Sequence, residues 1–369
     1  MHLDTRKLRF SSAKDVEFFK TLQSRVNDYF TNNGISRTGD GRMIIKTVVM
    51  LLIYLVPFVL IVTGVVTNPW LFFGLWAVMG LGMSGIGMSV MHDANHGSYS
   101  KNPKVNKYVG YIMNFIGGHD KVWRLKHNVL HHTYTNIEGA DEDIDVGHLF
   151  RFSPNQERKW AHRFQHIYAW PLYMLMSLMF ATYSDFTRTF RYKKDGVIRS
   201  EKEFKKTLWS VSIWKIAYYL FIMVIPMLFA PVAWWMILVG FFIMHFVCGL
   251  MLSAIFQAAH VMPECEFPAP DTKGHLDSTW AVHQLMTTTN FAPKSKIFSW
   301  FVGGLNYQVE HHLFSNICHV HYPKISKIVR ETAQEFGHNY KMERSFMHAM
   351  ISHARLLRDL GRNDNYVLA

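Results

Sequence analysis

Three short clusters of histidine lie along the chain, each where an apolar stretch meets a polar one. They are His92-Asp93-Ala94-Asn95-His96, His127-Asn128-Val129-Leu130-His131-His132 and Gln308-Val309-Glu310-His311-His312. His260, at the end of a long apolar run, is a further candidate, so the chain offers eight imidazoles in all. Imidazole suits iron, zinc, copper and nickel. Eight histidines without cysteine favour a two-metal centre over a structural zinc site, which needs only four ligands.

The spacing within each cluster predicts which side chains point the same way. Residues four apart share a helix face, so His92 and His96 are predicted to address one metal. His127 and His131 are predicted to do the same. His132 lies about 100° further round a helix and is predicted to reach a second metal, or another side of the first. The third cluster has the spacing i, i+3, i+4 in its three polar ligand candidates, which are Gln308, His311 and His312.

Four long apolar runs predict transmembrane helices, at residues 47–66, 70–91, 208–229 and 232–259. Lys215 interrupts the third run near its start and is expected to snorkel towards the membrane surface. Only residues 67–69 join the first two runs, and only 230–231 join the last two, so each pair is predicted to form a hairpin. Nearly all Lys and Arg then lie on one side, which predicts that this side is cytoplasmic.

A fifth apolar run, at residues 167–183, is predicted to lie in the membrane interface without crossing. A fifth crossing would place the third histidine cluster on the face opposite to the first two. It would also move the basic residues between 188 and 206 to the wrong side of the membrane.

The composition excludes some classes of protein and partner. The chain is 49% hydrophobic, with a mean hydropathy of +0.02 and a net charge of +12. The positive residues lie between apolar runs, so anionic lipid or an anionic substrate head group explains them and nucleic acid does not. The polar N-terminus is not a signal peptide. Cys248, Cys265 and Cys318 are too few and too far apart for a disulfide framework.

These observations predict an all-α, multi-pass integral membrane protein. Four transmembrane helices in two hairpins would carry a cytoplasmic helical cap that holds a histidine-rich two-metal site. We expect a cytoplasmic N-terminal segment at residues 1–40, a membrane domain at 41–340, and a C-terminal cytoplasmic helix and tail at 341–369. Two redox-active irons beside a bilayer substrate can activate O2 and attack an unactivated C–H bond.

The three clusters resemble the histidine boxes of the membrane fatty acid desaturases. The third, Asn306-Tyr307-Gln308-Val309-Glu310-His311-His312-Leu313-Phe314, resembles the form typical of front-end desaturases, in which glutamine replaces the first histidine. The runs 123–132 and 134–143 are similar to those of bacterial linoleoyl-CoA or acyl-CoA desaturases. The resemblance covers about residues 40–340.

The resemblance implies an O2-dependent di-iron enzyme of the bacterial cytoplasmic membrane, with its active site on the cytoplasmic face. Such an enzyme introduces a cis double bond into a (poly)unsaturated acyl-CoA or acyl-lipid. The implied iron ligands are His92, His96, His127, His131, His132, His260, His311 and His312. Three further residues are candidates for supporting the cofactor, namely Gln308, Asp141 and Asp143. Asp141 or Asp143 would accept hydrogen bonds from ligand N–H groups, and the alternative is a solvated acidic loop.

Two departures from the family pattern bear on the partners. Many eukaryotic front-end enzymes carry a fused N-terminal haem domain, but the first 40 residues are too short for one and contain no His-Pro-Gly-Gly. We therefore expect electrons from a separate ferredoxin, cytochrome or reductase. Gln308 offers only a carbonyl oxygen, so it can hold a metal-bound water in place of an iron.

Two other functions compete with desaturation. A related membrane di-iron hydroxylase or ketolase, acting on another lipid, would carry a similar box set, although the third box favours a desaturase. A metal carrier would need polar residues in mid-membrane along a path. The apolar runs are almost free of them apart from His245, for which a buried, neutral, hydrogen-bonded imidazole is expected, so a carrier is excluded.

Overall fold

A computed structural model describes residues 5–11, 15–364 and 366, and these residues are mostly helical. The α-helices are, in chain order, α1 (Val16–Asn32), α2 (Gly41–Thr63), α3 (Pro69–Gly85), α4 (Met91–Asn95), α5 (Pro103–Gly110), α6 (Ile112–Phe115), α7 (Asp120–Arg124), α8 (His132–Tyr134), α9 (Gln165–Met174), α10 (Met176–Met179), α11 (Asp185–Lys194), α12 (Glu201–Tyr219), α13 (Ile225–Phe229), α14 (Trp234–His260), α15 (Trp280–Thr287), α16 (Lys296–Phe301), α17 (Gln308–Leu313), α18 (Tyr322–Glu335) and α19 (Phe346–Arg362).

Short π-helical and 3-10 segments lie beside these helices. The π-helical segments are Ile86–Val90, Leu125–His131, Phe180–Ser184 and Leu220–Val224. The 3-10 segments are Thr5–Lys7, Trp160–Phe164 and His319–His321. The four two-residue strands are β1 (Arg9–Phe10), β2 (His275–Leu276), β3 (Asn290–Phe291) and β4 (Met342–Glu343). β1 pairs with β2 and β3 with β4, both in parallel.

The chain forms two compact units, each built from segments that are distant in sequence. The first unit contains residues 1–39, 126–169 and 255–369. The second unit contains residues 40–125 and 170–254.

Among the residues that the structure describes, four helices are long and apolar enough to cross a membrane, so the protein is an integral membrane protein. They run over Gly41–Thr63, Pro69–Asn95, Glu201–Phe229 and Trp234–His260. The first and third begin six and seven residues before the apolar runs that predicted them, because polar N-caps start these helices. The side chain of Asp40 accepts a hydrogen bond from the Arg42 backbone N–H, and Ser200 caps the third helix in the same way. Hydropathy locates the apolar stretch, whereas capping sets the helix end.

Glycines bring the helices of the second unit close together. A Cβ added to Gly82 of α3 would lie 2.7 Å from the backbone N of Tyr54 in α2. One added to Gly80 would lie 2.5 Å from the carbonyl O of Met244 in α14. Small residues allow this approach, and the resulting packing holds membrane helices together.

Lys215 does not snorkel as predicted. Its side chain is buried, and its Nζ lies 2.5 Å from the Asp185 carboxylate and 2.6 Å from the Gly117 carbonyl O. A buried charge needs such a partner, and Asp185 supplies it from α11. His245 is buried as expected and hydrogen-bonds through both ring nitrogens, to Ser177 Oγ at 3.0 Å and Tyr218 OH at 2.7 Å.

The apolar run 167–183 does not form one of the four long apolar helices. α9 ends at Met174, and the chain turns at Leu175 before α10 begins. The α9 end packs closely in the second unit, where a Cβ on Gly249 would lie 2.3 Å from the Met174 carbonyl O.

In the first unit, the N-terminal helix supports the helix that carries the third histidine cluster. α1 buries every fourth residue and packs on α18. The same apolar cluster includes Val309 and Leu313 of α17. The buried α1 residues are Phe18, Leu22, Val26 and Phe30.

Candidate metal centre

The second histidine cluster lies on a π-helical segment, Leu125–His131, and this changes which of its histidines face each other. The wider π turn brings residues five apart onto one face. His127 Nε2 accordingly lies 3.2 Å from His132 Nε2. The structure therefore pairs His127 with His132, whereas α-helical spacing predicted His127 with His131.

His311 joins this pair from α17. His132 Nε2 is 2.9 Å from His311 Nε2, and His311 Nδ1 is 3.3 Å from the Tyr322 hydroxyl. Two imidazole nitrogens that bind one metal at about 2.1 Å, with a right angle between them, lie about 3 Å apart. The spacing of His127, His132 and His311 is compatible with a shared metal.

A second group consists of His131, His260 and His312. Their ligand nitrogens lie within 4.8 Å of one another, and all three residues are buried. They come from three separate elements, because His131 ends the π-helical segment, His260 ends α14 and His312 belongs to α17.

Asp141 orients His131, and the backbone holds Asp141 in turn. Its Oδ2 is 3.0 Å from His131 Nδ1 and accepts the backbone N–H of Asn136 at 3.0 Å. Its Oδ1 accepts the backbone N–H of Asp143 at 3.0 Å. The Asp143 carboxylate lies 3.7 Å from His131 Nδ1 and contacts Lys126. Asp141 is therefore the closer acceptor of the two carboxylates predicted here.

His260 and His312 are oriented by acceptors that spacing did not reveal. His260 Nδ1 lies 3.3 Å from the Thr287 carbonyl O. His312 Nδ1 lies 2.8 Å from Gln284 Oε1, which also accepts a hydrogen bond from Thr135 Oγ1 at 3.0 Å. An acceptor at Nδ1 keeps the proton there and leaves the Nε2 lone pair available for a metal.

The donor set fits a metal ion. In the part of the chain that the structure describes, His131 Nε2 is buried without a hydrogen-bond partner, and His260 Nε2 is buried with Gln308 beside the ring. A buried polar atom of this kind costs free energy unless something binds it. With Nδ1 protonated, each Nε2 presents the neutral ligand atom that iron or zinc requires.

The first histidine cluster lies in the second unit. The ring centroids of His92 and His96 are 4.8 Å apart, as the four-residue spacing predicted. Trp123 packs edge-on against both rings, at 5.5 and 5.8 Å. The two imidazoles therefore lie side by side at the end of the continuous helix Pro69–Asn95.

The two polar residues of the third cluster have different surroundings. Gln308 is buried and lies beside His260. Glu310 is also buried, and its carboxylate accepts hydrogen bonds from Asn290 Nδ2 and the Tyr340 hydroxyl, both at 2.8 Å. Burial raises the pKa of Glu310 to about 7. Glu310 thus ties α17 to its neighbours.

Sequence reasoning missed four residues that support the ligands. Thr135 and Gln284 act on His312, and Thr287 acts on His260. Asn136 adopts a positive φ of 58° and donates through Nδ2 to the His260 carbonyl O at 2.9 Å. Gln284 and Thr287 lie in a stretch of mixed polar and apolar residues, and nothing in their spacing linked them to a histidine cluster.

Comparison with known proteins identifies the family. The sequence model for fatty acid desaturases matches residues 68–344. An sn-1 linoleoyl-lipid 6-desaturase from Arthrospira platensis is 37% identical, over 97% of this chain and 96% of the relative. One of the same name from Synechocystis is 33% identical, over 98% and 99%. An acyl-lipid (8-3)-desaturase from Physcomitrium patens is 34% identical, over 96% and 74%.

A family match over most of the chain thus agrees with the histidine clusters and the four apolar helices. The chain belongs to the fatty acid desaturase family, and it is an oxidoreductase that desaturates fatty acyl chains.

Proposed function

We propose that the protein is a front-end desaturase that introduces a double bond at carbon 6 of a linoleoyl chain carried on a membrane lipid. The observation that carries this proposal is the full-length similarity to two linoleoyl-lipid 6-desaturases. Gln308, at the position typical of front-end enzymes, supports the same regiochemistry.

We propose two irons as the cofactor, bound by the seven box histidines and by His260 at the end of α14. The geometry of the first unit supports one group of His131, His260 and His312 and another of His132, His311 and His312, with His312 common to both. His127 lies beside His132 in the second group. His92 and His96 are proposed as ligands on their four-residue spacing, which places the two rings side by side, and on the resemblance. Bound iron would supply O2 activation and the removal of hydrogen atoms from adjacent carbons.

The reaction balances with a separate electron donor. One hydrogen leaves each of two adjacent methylene carbons, and a C=C double bond forms between them. One O2 takes up these two hydrogens, two protons and two electrons, and leaves as two water molecules. The chain contains no His-Pro-Gly-Gly motif and no Gly-rich dinucleotide fingerprint, so we propose a ferredoxin, cytochrome or reductase as the electron source.

The residues around the ligands fix the protonation and orientation of the histidine rings. Asp141, Gln284 and the Thr287 carbonyl keep a proton on Nδ1 of their histidine partners. Burial of His131, His260 and His312 excludes bulk water, which protects reactive species from side reactions. Gln308 is proposed to hold a metal-bound water, because an amide carbonyl can accept its hydrogen bond.

We also propose the membrane arrangement that the charge distribution predicts. The helices would form two hairpins, with residues 41–340 as the desaturase domain and the histidines on the cytoplasmic face of a bacterial membrane. Support comes from the lysines and arginines, which avoid the short connections after α2 and α13.

Lipid analysis after expression tests the function. The chain is produced in a host whose lipids contain linoleoyl but no 6-unsaturated chains, with His131→Ala as the inactive control. We expect new double bonds at carbon 6 on intact lipids, located by mass spectrometry. If the new double bond appears on acyl-CoA before it appears on lipid, the substrate is acyl-CoA and the proposed lipid substrate is wrong. New double bonds on the methyl side of the existing ones would overturn the front-end proposal. Hydroxylated chains without an alkene would indicate the competing hydroxylase chemistry.

A further inference from the structure

An apolar patch in the first unit lies outside the metal centre and outside the membrane-spanning helices. Ile297 is 85% exposed, the highest value among the large apolar residues that the structure describes. Met347 and Ile351 are 66% and 43% exposed. Some other strongly exposed apolar residues, such as Trp70 and Leu228, belong to the spans, where lipid covers them, whereas Trp160, 78% exposed, lies outside the spans. Contiguous apolar exposure elsewhere on a protein marks an interaction site.

The fold brings these three residues to one edge of the first unit. β3 and β4 pair in parallel, α16 begins shortly after β3, and α19 begins shortly after β4. Phe298 of α16 and Phe346 of α19 are in contact, with ring centroids 5.0 Å apart. The exposed Ile297 directly precedes Phe298, and the exposed Met347 directly follows Phe346. We call the surface formed by Ile297, Met347 and Ile351 the α16–α19 face.

The charged residues within 292–302 and 344–358 are all basic, while the buried Glu343 contacts His348 and Ser352 of α19, and Asp359 pairs with Arg358. Lys294, Lys296, Arg344 and Arg355 are exposed. On α19, Met347, Ile351 and Arg355 follow one another at four-residue intervals, so they form a single stripe along the helix. No Asp or Glu occurs at residues 292–302 or 344–358. The combination of protruding apolar side chains with Lys and Arg is typical of surfaces that bind anionic membranes.

We propose that the α16–α19 face sits in the headgroup layer of the bilayer, inserting Ile297 and Met347 while its basic residues bind anionic lipid. The last turns of α14 belong to the same compact unit as α16 and α19, so a membrane-spanning helix tethers this unit to the bilayer. Tethering makes weak contacts sufficient, because the lipid surface is present at high effective concentration. An acidic protein would need a larger interface than three protruding side chains provide.

Site-directed labelling of the full-length protein in vesicles tests this proposal. The three native cysteines are buried, so an introduced surface cysteine reacts selectively. A polarity-sensitive fluorophore is attached at Ile297→Cys or Met347→Cys. The matched control is Lys327→Cys on α18, in the same unit, where the native side chain is 72% exposed. Vesicles contain phosphatidylcholine alone or mixed with phosphatidylglycerol.

We expect the fluorophores at positions 297 and 347 to be quenched by spin-labelled lipid in the mixed vesicles, and the fluorophore at 327 to be quenched only from water. Replacing Lys296 and Arg355 by Gln should lower the ratio of protein with the α16–α19 face inserted in the bilayer to protein with this face in water, by about fivefold for each charge removed. Equal aqueous quenching at all three positions would overturn the proposal. Shielding that appears only after an acidic electron-carrier protein is added would also overturn it and assign the face to protein docking.

Discussion

At the scale of single residues, three candidate iron ligands in the first unit, His131, His260 and His312, each depend on an acceptor that fixes the proton on Nδ1. Asp141 does this for His131, Gln284 for His312 and the Thr287 carbonyl for His260. Such acceptors orient the ring and raise its basicity as a ligand. Their loss should therefore lower metal affinity without unfolding the protein.

The substitution Asp141→Asn tests this dependence. The amide keeps the size of the side chain but removes its charge, so it stabilises the protonated Nδ1 of His131 less well. We expect iron affinity and turnover to fall about 10- to 100-fold. Iron content and product formation are the measurements, and Asp145→Asn in the same loop is the control. Unchanged iron content in the Asp141 variant would contradict the role assigned to this carboxylate.

At the scale of elements, the π-helical segment Leu125–His131 decides how histidines are shared between two groups. It directs His127 and His132 towards His311, and His131 towards His260 and His312. The grouping makes combinations of substitutions informative, because ligands of one metal should not act additively.

Iron analysis of double variants tests the grouping. His131→Ala and His260→Ala should each lose about one of two irons and abolish turnover, and combining them should remove little more iron. His131→Ala combined with His132→Ala should lose both irons, since these residues belong to different groups. His321→Ala, outside both groups, should retain most activity. Equal iron loss in the two double variants would show that the grouping is wrong.

The break at Leu175 bears on the path of residues 167–183. We expect this segment not to cross the bilayer, so cysteines at Lys194 and His148, both exposed, should be labelled from the same side. A cysteine at Val65, in the connection after α2, should be labelled from the other side. Membrane-impermeant maleimide on sealed vesicles makes the measurement. Labelling of positions 148 and 194 from opposite sides would require a fifth crossing.

At the scale of the whole molecule, buried neutral histidines make stability depend on pH. Burial lowers the pKa of His353 to about 4, and its Nδ1 donates to the Val261 carbonyl O at 2.8 Å. In the unfolded chain its pKa is about 6.5. Since the folded pKa is the lower one, the stabilisation is complete above pH 6.5. It is lost as the pH falls from 6.5 towards 4.

Thermal unfolding of the detergent-solubilised protein checks this expectation. The midpoint should fall as the pH is lowered from 7 to 5, and His353→Gln should flatten that dependence because glutamine does not titrate. The cost of protonation reaches on the order of 3 kcal/mol near pH 4. An identical pH profile in wild type and the glutamine variant would exclude His353 as a source of the effect.

The sequence by itself determined the class of the protein. Ligand chemistry and hydropathy are properties of residue types and local spacing, so the box histidines, the four apolar helices and the desaturase family could all be predicted. The pairing of His92 with His96 could also be predicted, because both lie at the end of one continuous helix, where local spacing decides which side chains are neighbours.

Only the tertiary structure decided which other residues meet. The π-helical turn altered the pairing of His127, and no local propensity marked that change of period. Lys215 finds Asp185 on another helix, which hydropathy could not foresee. Gln284 reaches Thr135 across 149 residues of chain. Contacts of this kind arise from packing between segments that are distant in the chain. A single sequence contains both residues of such a contact, but it does not show that they lie close together in space.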